Sequence, residues 1–97
     1  MIIVSRGALL DFQDRLPDSS GALNSWFAEA KKAQWKKPSD IKEQYRSASI
    51  LKDSRVVFNI CGNKYRLVVK IAYPAGIVQI RFIGTHTEYN KIEAEKI

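Results

Sequence analysis

The apolar positions of this chain change their period part-way along it. From Ala8 to Ala33 they recur every three or four residues; from Val56 to Ile83 they gather in short runs cut by turn residues. The first pattern predicts helices and the second strands. Ile2, Ile3 and Val4 precede both and predict a short strand. Ser5 is a suitable N-cap, and Ala8, Leu9, Phe12 and Leu16 predict a first helix to about Leu16. Pro17-Asp18-Ser19-Ser20-Gly21 is a break. Ala22, Leu23, Trp26, Phe27, Ala30 and Ala33 then predict a second helix to Gln34 or Trp35. So short a break predicts that the two helices pair as a hairpin. Trp26 and Phe27 are read as core residues packing on a sheet, not as platforms for a base. Pro38 stops the helix, Ser39 or Asp40 can cap a further short turn from Ile41 to Tyr45, and Ile50-Leu51 suits a short strand or anchor.

The segment from Arg55 to Tyr89 organises the rest. Val56–Ile60, Tyr65–Tyr73 and Ile77–Ile83 are rich in β-branched and aromatic residues, and Gly62-Asn63 and Pro74-Ala75-Gly76 separate them. Three consecutive antiparallel strands follow from that pattern. Tyr65, Leu67, Val69 and Ile71 share one face of the middle strand and should be core; Arg66, Val68, Lys70 and Ala72 share the other. Whether Arg81 joins Arg66 depends on register. Pairing Tyr73 with Ile77 puts the two arginines on opposite faces; pairing Tyr73 with Val78 puts them on one. The second register is preferred here, because it gathers Arg66, Lys70, Gln79 and Arg81 and keeps two guanidinium groups out of the core. Thr85 and Glu88 have capping-box spacing, with Thr87 a competing cap, so a short C-terminal helix is expected. Strand, two helices and then consecutive strands make an α+β fold with the helices on one sheet face.

Ninety-seven residues fit one domain, 1–97. The formal charge of +6 and pI of about 9.6 favour an acidic partner, whether nucleic acid, anionic membrane surface or protein. Cys61 is the only cysteine, which precludes an internal disulfide and is read as structural. The N-terminal apolar run is too short for a secretory signal and no run approaches a membrane span, so a cytoplasmic protein without membrane association is expected. Asp11, Asp14 and Asp18 fall roughly on one side of the first helix; no His or Cys joins them, so they read as a solvated face and no metal site is expected. Lys31, Lys32, Lys36 and Lys37 surround Trp35. They suit either a helix C-terminus or a phosphate-binding patch with an aromatic to stack on, and both readings stand at this point.

The ordered set GNKYRLVVKI and VQIRFIGTHTEY, with WKKP and the N-terminal helices, resembles the HigB-type toxins of bacterial toxin–antitoxin pairs, within the RelE-like superfamily. The resemblance covers nearly the whole chain, and its specific part runs from Phe58 to Tyr89. It implies a microbial RNase-type α+β fold: an N-terminal strand and two helices packed on an antiparallel sheet of about four strands, with a short C-terminal helix. It implies an endoribonuclease that cuts translated mRNA at the ribosome without cofactor or metal. A cognate helix-turn-helix antitoxin would neutralise it, and operator DNA would be reached only through that antitoxin. On the matching positions it implies catalytic roles for His86, Tyr89, Arg66 and Arg81. Lys64, Lys70, Lys31, Lys36 and Lys37 would hold RNA or ribosome.

The chemistry suits these residue types. In metal-free RNA cleavage the nucleophile is the substrate's own 2′-OH. The protein supplies a base, an acid and positive charge for the transition state. An imidazole can serve as acid or base near neutral pH. Tyr89, three residues on, is an acid or orienter, and the two arginines are permanent cations for phosphate. Asn90 follows Tyr89 where an acidic base would be expected, and Glu88 reads as a cap. The alternative reading is a non-catalytic RNA- or protein-binding module using the same basic face.

Overall fold

A computed structural model describes residues 1–97. The elements run β1 (Ile2–Val4), α1 (Gly7–Arg15), a 3-10 turn (Pro17–Ser19), α2 (Ser20–Lys32), α3 (Pro38–Gln44), β2 (Ser49–Ile50), β3 (Arg55–Ile60), β4 (Tyr65–Ala72), β5 (Ile77–Thr85) and α4 (His86–Tyr89). The expected α+β architecture is present. The sheet has five strands in the order β1-β5-β4-β3-β2. β1 pairs in parallel with β5, and the other pairs are antiparallel. The expectation of about four antiparallel strands is therefore corrected to a five-stranded mixed sheet. A three-residue apolar run announces a strand but carries no information about its partner, here more than seventy residues away in the chain. No helix is long and apolar enough to cross a membrane.

Ser5 does not cap α1. It adopts φ +70°, Arg6 occupies the cap position, and the Ser5 carbonyl accepts from the Ala8 N–H at 3.2 Å. The chain turns sharply between β1 and α1, and that turn, rather than helix-end chemistry, sets the Ser5 backbone.

The helices cover one face of the sheet. Val56, Phe58 and Ile60 of β3, Leu67, Val69 and Ile71 of β4, and Val78 and Ile80 of β5 meet Leu9, Phe12, Leu23 and Trp26 there. Phe58 is the hub. Trp26 meets it edge-on at 5.4 Å, Tyr45 edge-on at 5.1 Å, and Trp35 stacks on it at 6.0 Å. Each such side chain contributes about 1.5–3 kcal/mol by burial. Trp35 is only 3% exposed, and its Nε1 donates to Gln44 Oε1 at 3.1 Å. Its ring is core, so it offers no face to a base. Trp26 is core, as its spacing predicted.

The opposite face is covered in its middle. The chain beyond α4 lies over it, so that Ala94 joins Val57 and Val68 in a second small core, flanked by Phe82, Tyr89, Ile92 and Ile97. Arg55 holds that segment down: its Nε and Nη2 donate to the Ile97 main-chain oxygen at 2.9 and 2.6 Å.

Register between β4 and β5 changes along the strands: near the turn it is neither of the two considered from sequence, and beyond the irregularity it is the one set aside there. Ala72 pairs with Ile77, Ile71 with Val78 and Lys70 with Gln79; beyond an irregularity at Val68/Val69, Val68 pairs with Phe82 and Arg66 with Gly84. Arg81 is the extra residue of a β-bulge. A bulge inserts one residue on one strand and so exchanges the faces on its far side. Near the turn, Lys70 and Gln79 share a face as preferred. Beyond the bulge, Arg66 shares its face with Gly84 and Phe82, the parity set aside on sequence grounds.

Candidate active site

The bulge and the β3–β4 turn build one end of the sheet. Ile60 pairs with Tyr65, and the loop between them closes with the Lys64 N–H on the Cys61 carbonyl at 3.3 Å. Cys61 and Gly62 both have positive φ, +53° and +65°. Glycine adopts that region without a steric penalty, which is why Gly62-Asn63 signalled the turn. Next to this turn β5 ends at Thr85, opposite Tyr65, and the His86 N–H donates to the Lys64 carbonyl at 3.2 Å. α4 therefore starts hydrogen-bonded to the turn. Its capping box is complete: Thr85 Oγ1 accepts from the Glu88 N–H at 3.2 Å, and Glu88 Oε1 accepts from the Thr85 N–H at 2.9 Å.

Arg15, at the end of α1, completes the clamp. Its Nη1 and Nη2 donate to Glu88 Oε2 and Oε1, both at 3.3 Å. The Thr85 N–H and, secondarily, the Arg15 guanidinium hold the Glu88 carboxyl below its ordinary range. Glu88 is thus a charged anchor, as its capping position implied. Asp18 does the same work at the turn. Its carboxylate accepts from the Lys64 ammonium and, at 2.6 Å, from the Tyr65 hydroxyl. The bond from Lys64 and then that from Tyr65 hold Asp18 below its ordinary value. The same carboxylate raises both the Lys64 ammonium and the Tyr65 hydroxyl. Asp11 and Asp14 stay exposed on α1.

Both nearby carboxylates are therefore occupied, while most of the cations are not. Arg66 Nη1 donates to the Asn63 carbonyl at 3.0 Å and the Tyr65 carbonyl at 3.4 Å; its Nη2 and Nε have no partner in the chain. Arg81 and Lys70 are exposed and make no ion pair. His86 is exposed at the first position of α4, and its ring has no partner. Tyr89, one turn on, is half-buried against the Val57–Val68–Ala94 cluster, on the face that carries Arg66. Gly84 sits opposite Arg66, and the Phe82 ring lies across it: a Cβ there would stand 2.5 Å from Phe82 Cζ.

Arg66, His86 and Tyr89 thus gather at one end of the sheet. Arg81 stands between the registers of Arg66 and Lys70. Lys64 is at the same end with its ammonium on Asp18. Lys31 and Lys36 are elsewhere, beside Tyr73–Gly76 at the β4–β5 turn. The eight residues of β4 separate the two ends, roughly 20 Å at the strand's rise per residue. Sequence reading missed Arg15 and the two bonds of Asp18. The spacing of Thr85 and Glu88 signalled the cap, but nothing local marks a partner 73 or 46 residues away.

Fold and site together define a small basic α+β domain with unpaired cations, one imidazole and one phenol at the edge of a sheet. Residues 19–92 match the family model of HigB toxin, the RelE-like toxic component of a toxin-antitoxin system, and the chain belongs to that family. It is 29% identical over 92 residues to the mRNA interferase toxin HigB of Escherichia coli (strain K12), covering 93% of this chain and 88% of that protein. The mRNA interferase HigB proteins of Escherichia coli O157:H7 and Shigella flexneri match to the same extent.

Proposed function

We propose that this toxin is a ribosome-dependent, metal-independent endoribonuclease that cuts translated mRNA and is neutralised by its cognate antitoxin. The observation that carries the reading is the pairing of a guanidinium with two free nitrogens, on Arg66, with an unpartnered imidazole at the adjoining strand end. The similar proteins named above are mRNA interferases, which supports mRNA as the substrate class.

In this mechanism Arg66 and Arg81 bind the scissile phosphate and stabilise the charge that grows on its oxygens, and Lys70 adds field. The 2′-oxygen bonds to phosphorus as its proton passes to a base. The bond to the 5′-oxygen breaks as an acid protonates the leaving group. The product ends are a 2′,3′-cyclic phosphate and a free 5′-hydroxyl. His86 and Tyr89 divide the proton transfers, since Glu88 and Asp18 are held by cations. Each transfer is worth roughly 10²–10⁴ in rate. Positioning of mRNA by the ribosome supplies further acceleration. The nucleophile belongs to the substrate and the charge to the arginines, so the scheme requires no metal.

The test is mapping of 5′ ends in cellular mRNA after brief induction, comparing the native chain with a His86→Ala, Tyr89→Phe double variant. New ends confined to translated regions, and absent in the variant, are the expected result. New ends from both proteins would keep the nuclease and remove this catalytic pair. Arrested growth with no new ends from either would favour the RNA- or protein-binding module.

A further inference from the structure

The largest concavity of the molecule is not at the candidate active site. It lies at the other end of the sheet, about 520 Å³ in volume, walled by Ile2, Ala33, Trp35 and Pro74, with Lys31 and Lys36 at its margin. Ile2 is 64% exposed, the most exposed large apolar side chain of the chain. Tyr73 also lines the cavity, and its hydroxyl is buried without a partner.

The charge around this cavity is unbalanced. Lys31, Lys32, Lys36 and Lys37 are all exposed, and no ion pair or side-chain hydrogen bond involves any of them. The carboxylate beside them, Asp40, is half-buried and accepts from the Lys36 N–H at 2.9 Å. An occupant must therefore bring negative charge for the margin and apolar surface for the walls. RNA meets only the first requirement: of the two large rings here, Trp35 is core and Tyr73 is half-buried with its hydroxyl inside, so neither stands out as a platform for a base. An acidic protein segment with an apolar anchor meets both. The chain's +6 charge makes such a partner electrostatically complementary.

We propose that this cavity seats an acidic, apolar-anchored segment of the cognate antitoxin. The proposal rests on membership of the toxin–antitoxin family and is independent of the nuclease reading. A segment seated there lies roughly 20 Å from Arg66 and His86, so that segment alone leaves the phosphate-binding end uncovered.

The probe is the product of the reading frame adjacent to this chain's own, titrated against the full-length chain in native form, as a Lys31→Glu, Lys36→Glu variant, as Ala75→Asp and as Arg66→Ala. All the lysine and alanine positions are exposed, and melting curves verify folding. The expected result is a complex weakened at least tenfold by the lysine reversals and by Ala75→Asp, chiefly through slower association that salt reduces further, and barely changed by Arg66→Ala. Unchanged affinity in both cavity variants, or loss in Arg66→Ala alone, would overturn the proposal. Unchanged complex affinity combined with lost retention of a single-stranded RNA by the lysine variant would overturn it and make the cavity an RNA contact. No complex with the native chain would overturn it through the pairing itself, while mRNA cleavage by the same protein would still stand.

Discussion

The two ends of the sheet handle charge in opposite ways. At the β3–β4 turn, the two carboxylates are used to fix geometry: Glu88 ties α4 to α1 through Arg15, and Asp18 ties the 3-10 turn to Lys64 and Tyr65. What remains free there is cationic or titratable, in Arg66 and His86. At the β4–β5 turn, Lys31 and Lys36 have no ion pair and lie beside an apolar cavity. The first end is a site with few degrees of freedom. The second is a surface that acts through field and fit. A basic charge total does not distinguish these arrangements; the destination of the few carboxylates does.

Breaking the first end should have the largest effect. Gly84→Ala puts a methyl 2.5 Å from the Phe82 ring. Overpacking of this kind costs about 1–3 kcal/mol. We expect lower chemical-denaturation stability together with lost mRNA cleavage, because Phe82 and Gly84 line the face shared with Arg66. Full activity in that variant would separate the Phe82 contact from the site.

A smaller effect distinguishes cap from ion pair. Thr85→Ala removes the cap and should cost ~1 kcal/mol. Glu88→Gln keeps capping geometry and loses only the exposed pair with Arg15, worth a few tenths to 1 kcal/mol. The pH dependence follows from the depressed Glu88 carboxyl. Its contribution is present above the unfolded value of 4.5 and lost as pH falls through the lower folded value. Protection factors at the Thr85 and Glu88 amides, with the intrinsic pH dependence of exchange divided out, should therefore fall below about pH 4.5 in the native chain. Glu88→Gln should flatten that response, and an unaltered profile would assign it to another group.

The smallest effect belongs to the other end. Lys31→Glu with Lys36→Glu should leave unfolding free energy within about 0.5 kcal/mol, since neither side chain has a partner to lose. A larger loss would mean that those lysines support the fold, and the contrast between the two ends would weaken.

Local signals were readable where the physics is local. The capping box at Thr85 and Glu88, the turn at Gly62-Asn63, the apolar face of β4 and the core role of Trp26 all depend on neighbours within a few residues. Trp35 was ambiguous because a Trp among lysines looks the same whether its ring is buried or exposed; Phe58 and Gln44 decide that. Ser5 has the right chemistry for a cap but sits where the backbone reverses. The bulge at Arg81 has no sequence mark, and it divides β5 into two registers that pattern reading treats as alternatives.

The sequence by itself determined the order and type of the main elements, the helix-facing apolar positions and the positions that carry the family resemblance. These follow from side-chain period, turn residues and residue identity, all of which are properties of adjacent chain. Only the tertiary structure decided which cations stay free and which are paired, that the lysine cluster stands a strand's length from His86, and that β1 closes the sheet in parallel. Those outcomes depend on contacts between residues far apart in the chain, and a one-residue bulge or a single distant carboxylate is enough to change them.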